Sequence, residues 1–128
     1  MLEEFLKTKS FTLLKSFLDK NALTIKFEKD SSDDYFDLEN MLIHCGTVDK
    51  KDGEEIMFSI LHEVGHFLSY CIDPELGTAE DMDTIFVEIT SWIYGLDLAE
   101  SLGIHLEKRK FFNYAQCSVR KYIKSLNI

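Results

Sequence analysis

The chain has 128 residues, 45% of them apolar, and 23 Asp and Glu against 14 Lys and Arg give a net charge of −9; this suits one domain, 1–128, with a moderate core, and has the wrong sign for binding nucleic acid directly. No apolar run reaches the ~18 residues of a membrane span, and Met1-Leu2-Glu3-Glu4 lacks the basic stretch of a secretory signal. Cys45, Cys71 and Cys117 are odd in number and at no zinc-finger spacing, which predicts free, buried thiols in a reducing cytoplasm.

From the N-terminus, Leu2 to Lys20 reads as an amphipathic helix with a break near Thr8–Ser10, its inner side formed by Leu2, Phe5, Leu6, Leu13, Leu14, Phe17 and Leu18. Leu23 to Glu28 alternates as a half-buried strand. After the turn-like Asp30-Ser31-Ser32-Asp33-Asp34, a second strand is expected over Met41 to Cys45. His44-Cys45 at its end is read as packing rather than as a second metal site.

The next segment carries the chemistry. His62-Glu63-Val64-Gly65-His66 is an HExxH pentapeptide, which on a helix places two imidazoles four residues apart on one face. With this composition a shuffled chain contains such a match with a frequency of roughly 0.009, so the flanks must support it. They do. Glu54 to Cys71 is apolar around most of a helix, and one polar stripe of Ser59, His62, Glu63, His66, Ser69 and Tyr70 interrupts it. A polar stripe on a buried helix needs partners, a metal or a wet cleft. Two core histidines bonded to neighbours would satisfy it blandly; a metal on His62 and His66 does so with Glu63 left beside an open position as general base. Gly65 costs roughly 1 kcal/mol of helix propensity, acceptable where another backbone or a substrate must come close.

A third ligand follows from helix geometry. Gly77-Thr78 breaks the chain, and Thr78 with Asp81 three residues later predicts an N-cap for a helix running to about Leu102, with Gly103 as C-cap. If this helix returns antiparallel, then at ~1.5 Å per residue Glu88 lies roughly 12 Å from the connecting turn, between His66 at roughly 7.5 Å and His62 at roughly 13.5 Å. Asp73, Glu75, Glu80, Asp81 and Asp83 lie too near the turn. Thr84, Glu88, Ser91 and Gly95 form a small or polar stripe that permits close approach, and Met82, Ile85, Phe86, Ile89, Trp92, Ile93, Leu96 and Ala99 are expected to be buried opposite.

The last helix, Glu107 to about Leu126, is expected to bury Phe112, Ala115, Val119, Tyr122, Ile123 and Leu126 beneath a basic outer face. Residues 107–128 hold six Lys or Arg and one acid, a net of +5, whereas residues 1–106 hold eight against 22, a net of −14. A solvated face explains this by default; docking of an acidic partner or self-association is the functional alternative.

The segment Asp37 to His44, followed by Ile60 to Leu68 around the HExxH motif and Val87-Glu88-Ile89-Thr90-Ser91-Trp92, resembles the small ImmA/IrrE-type zinc metallopeptidases, which include compact phage-encoded proteins. The likeness spans about residues 35 to 100. It implies an α+β, minimal zincin-like domain in which a small sheet of two or three strands packs on the HExxH helix, with an N-terminal helix and two C-terminal ones. It implies Zn²⁺ on His62, His66 and Glu88, and a protein or peptide substrate, often a regulatory protein. In zincins an edge strand pairs with the substrate backbone, and residues 41–45 are the candidate. The expected reaction is peptide hydrolysis, with Glu63 activating a zinc-held water. Tyr70, Tyr94, His105 and Tyr114 are open candidates for the oxyanion donor. The alternative is a non-catalytic, acidic interaction or inhibitor protein with a structural zinc.

Overall fold

The computed structural model describes residues 1–31, 33–75 and 82–126, with the main chain alone at 82 and 83. The expected Thr78 cap and Asp81 therefore lie outside the described residues. Helices α1 (Leu2–Leu6) and α2 (Lys9–Lys20) lead into strand β1 (Thr24–Phe27). The predicted break between the helices falls at Lys7-Thr8, where the Thr8 side chain accepts from the Phe11 amide and caps α2. Phe5, Phe11, Leu14 and Leu18 enter the core, while Leu6, expected inside, is 38% exposed.

Strands β2 (Tyr35–Asp37) and β3 (Leu42–Cys45) follow. Residues 38–41 make a tight connection between them: Asp37 accepts from the Asn40 amide, and Met41 turns the chain at φ 49°. The sheet order is β1-β3-β2, with β1 parallel and β2 antiparallel to β3. Being central, β3 has both edges paired, so it has no free edge for a substrate. The outer edges belong to β1 and β2. At the end of β3, Gly46 is required by close approach, since a Cβ there would lie 2.4 Å from the Ser31 carbonyl oxygen.

Helix α3 (Gly53–Ile72) starts on a complete capping box: Asp52 accepts from the Glu55 amide, and the Glu55 carboxylate accepts from the Asp52 amide. It packs on the sheet, α1, α4 and α5. Helix α4 (Met82–Leu102) ends as predicted at Gly103, φ +76°, with Gly103 N–H bonded to Glu100 O and Ile104 N–H to Ala99 O, the paired bonds of a Schellman cap. Helix α5 (Lys108–Ser125) is capped by the Glu107 carboxylate, which accepts from two amides.

Two expected faces are rotated. On α4, Phe86, Ile89 and Ile93 are 60%, 41% and 53% exposed rather than buried, because α2, α3 and α5 leave that strip uncovered while Ile85, Trp92 and Ala99 are buried. On α5 the buried ring is Phe111, packed edge-on against Phe58 and Trp92, and Phe112 turns to solvent. Of the free cysteines, Cys45 is buried as expected, and its thiol is pushed up to about 12, chiefly by burial; Cys71 and Cys117 are exposed. No described helix is long and apolar enough to cross a membrane.

Candidate metal centre

Two glycines set the spacing of the helices that carry the site. A Cβ on Gly65 would lie 1.8 Å from Ser91 O, and one on Gly95 would lie 2.5 Å from Leu61 O, so α3 and α4 touch backbone to backbone at two points. At this separation a side chain as short as Glu88 reaches both motif histidines. Its Oε1 is 2.9 Å from His66 Nε2 and its Oε2 is 2.9 Å from His62 Nε2. The imidazole rings stand 4.7 Å apart.

These three residues, with donor atoms all within 4.8 Å of one another, form a group that can hold a metal ion. Of the three, His62 is 8% exposed. Its Nε2 is buried and has no hydrogen-bond partner among the described residues, although Glu88 Oε2 is close enough for an ion pair. The pair is close but not aligned as a hydrogen bond requires. A buried ring nitrogen without a hydrogen bond, in a set of converging donors, suits a cation between them.

Without a cation the cluster balances itself. Burial alone would push the His62 imidazole down, but Glu63 and Glu88 hold it up at about 9. Burial would likewise raise Glu88, and the two imidazoles bring its carboxyl down to about 2. Glu63 is buried, its Oε2 3.3 Å from His62 Nδ1. Trp92, buried in the core as expected, also stacks on His62 with ring centroids 4.1 Å apart and planes 5° from parallel. Its indole N–H has no hydrogen-bond partner among the described residues, and the ring packs edge-on against Phe111 and Tyr114.

The cluster opens into a cavity of about 900 Å³ bounded by β2, α3, α4 and α5. Of the candidate donors, Tyr70 and Tyr114 line it; Tyr94 does not, and His105 borders a different cavity. Tyr114 bonds Ser59 Oγ at 3.0 Å, one turn before His62 and Glu63 on α3. Tyr122 also lines the cavity and shares a hydrogen bond with Thr84; burial raises its hydroxyl, and the nearby Glu88 adds to that. The far wall carries Lys51, whose Nζ lies 3.0 Å from both Asp34 oxygens, while Asp34 Oδ1 also accepts from Gly46 N–H at 2.7 Å. Burial opposes the Lys51 charge, but Asp34 more than offsets it and lifts the ammonium above its usual range. The Lys51–Asp34 pair and Tyr122 carry no motif spacing; only the position of Tyr122 on the inward side of α5 signalled it.

Comparison of the chain with protein-family models, curated proteins and solved structures yields no match.

Proposed function

We propose that this protein is a zinc-dependent peptidase of the ImmA/IrrE kind that hydrolyses a peptide bond in a regulatory protein. The observation that carries the reading is the placement of Glu63, a buried carboxylate on the cavity wall next to the three-donor group. His62, His66 and Glu88 would hold the cation; two imidazoles and one carboxylate with a position left open are a donor set of catalytic zinc. When bound, zinc would supply a Lewis acid for the scissile carbonyl and acidify the attacking water. Glu63 takes that proton and passes it to the leaving amine, a general-base contribution of about 10²–10⁴-fold. The free edge of β2, whose Tyr35 and Phe36 line the cavity, offers hydrogen bonds to an extended substrate backbone.

One observation favours a second reading. Glu63 Oε2 lies 3.3 Å from His62 Nδ1, so Glu63 also serves as the outer partner of a ligand histidine, as in a purely structural site. Glu63→Gln separates the two. If Glu63 is the base, the variant keeps one zinc per chain by elemental analysis and loses cleavage of a folded regulatory substrate to near background. If Glu63 only supports His62, zinc content falls and any biological effect follows the metal. Full activity in a zinc-loaded Glu63→Gln protein would end the peptidase reading.

A further inference from the structure

Two serines lie where the metal helices meet, shielded from water: Ser91 is 0% exposed and Ser69 is 2% exposed. Ser91 Oγ is 2.8 Å from Val87 O, 3.1 Å from His66 Nδ1 and 3.4 Å from Ser69 Oγ. A carbonyl oxygen only accepts and a serine has one hydroxyl hydrogen. With that hydrogen given to Val87 O, the Ser91 oxygen has lone pairs left for a ring nitrogen and a second hydroxyl. The set closes when His66 Nδ1–H and Ser69 O–H both donate to it. Hydrogen on Nδ1 leaves Nε2, 2.9 Å from Glu88 Oε1, as the nitrogen with a lone pair for a cation.

We infer that Ser91 is a positioning residue that holds His66 in the form donating from Nδ1 and ligating through Nε2, with Ser69 fixing the Ser91 hydroxyl in turn. The inference rests on the metal reading of His62, His66 and Glu88 and extends it to a residue outside the ligand set. The backbone enforces it. Gly65 admits the Ser91 main chain so closely that the hydroxyl is delivered to His66, one residue along α3, without a long side chain. The two ligand histidines are therefore supported differently: His66 by a neutral, fully buried hydroxyl pair, His62 by the Glu63 carboxylate.

The test is zinc affinity by competition with a chelating dye, alongside proton–nitrogen NMR of the imidazoles in the zinc-loaded protein. Ser91→Ala removes the acceptor and favours the helix, so the circular dichroism should be unchanged. Affinity should fall about 10–100-fold, the usual effect of losing an outer-shell partner, and the slowly exchanging His66 Nδ1–H signal should disappear. Ser69→Ala, which removes only the outer hydroxyl, should cost less. Ser91→Thr keeps the hydroxyl and should retain the signal. Wild-type affinity and a protected Nδ1–H in Ser91→Ala would overturn the role of Ser91 while leaving the metal site standing. A larger loss in Ser69→Ala than in Ser91→Ala would overturn the order of the relay. A wild-type protein that binds no zinc would overturn the metal reading and this inference together.

Discussion

Helices α3 and α4 have 20 and 21 residues and similarly apolar sequences, yet they sit differently in the molecule. Twelve residues of α3 are buried, including the polar Ser59, His62, Glu63 and Ser69. On α4 only Ile85, Ser91, Trp92, Gly95 and Ala99 are buried among the described side chains, and Phe86, Ile89 and Ile93 form an apolar strip in solvent. The difference is one of position. Helix α3 is wrapped by the sheet and three helices, whereas α4 packs on α2, α3 and α5, has no contact of that extent with the sheet among the described residues, and leaves its outward strip bare. Apolar content shows that a helix has faces to bury; the neighbours decide which of them are covered.

The sharpest break in this comparison lies at the seam, where the two helices have no freedom relative to each other. Gly65→Ala puts a methyl 1.8 Å from a main-chain oxygen that cannot swing away, so the helices must separate. A loss of about 3–5 kcal/mol, or failure to fold, is expected by urea denaturation. Gly53→Ala at the start of α3, whose new methyl would meet only Phe5 at 3.9 Å, should be neutral or slightly stabilising. Equal costs at the two positions would show that the backbone contact is not what spaces the helices.

Away from the seam the contrast should appear in paired truncations. Ile60→Ala, at a fully buried position, should cost about 2–5 kcal/mol, and Ile93→Ala, 53% exposed, should fall within about 0.5 kcal/mol of the parent. A large loss at Ile93 would mean that the outward strip of α4 is covered in solution.

How far this was legible varies by element. HExxH placed His62 and His66, and matching heights above an antiparallel turn singled out Glu88, because helix rise is a fixed length per residue. Gly65 signalled a close approach through its poor propensity. The face of α4 turned to α3 was legible in Glu88, Ser91 and Gly95, but the exposure of Phe86, Ile89 and Ile93 was not, since apolar residues ran round the rest of the circumference and periodicity had nothing to choose between. Phe111 and Phe112 are adjacent aromatics, and only the packing of Phe58 and Trp92 selects the first. The central place of β3 also escaped, because strands of three or four residues carry little alternation and their order is set by distant contacts. Trp92 was read into the core and lies there; its stack on His62 carried no sequence signal.

The smallest expected effect sharpens the comparison where both helices contribute charge. His62 is held up at about 9 against an ordinary 6.5, so its contribution to metal-free stability is full below pH 6.5 and fades as pH rises through 9. Glu88 is held down at about 2 against 4.5, so its contribution is full above pH 4.5 and fades as pH falls through 2. Between pH 4.5 and 6.5 the metal-free seam should be at its most stable, measured as thermal midpoint against pH. In His62→Ala both slopes should flatten; an unchanged profile would place the pH dependence elsewhere.

The parallel stack of Trp92 on His62 also equips the site with its own optical reporter. Trp92 is the chain's single tryptophan, so all indole emission comes from one ring in contact with a member of the cluster. A protonated imidazole at that distance accepts an electron from excited indole and darkens it; an imidazole that has exchanged its proton for a closed-shell cation does so less. Filling the site should therefore brighten the native protein, giving occupancy without a label, a substrate or a chelating dye.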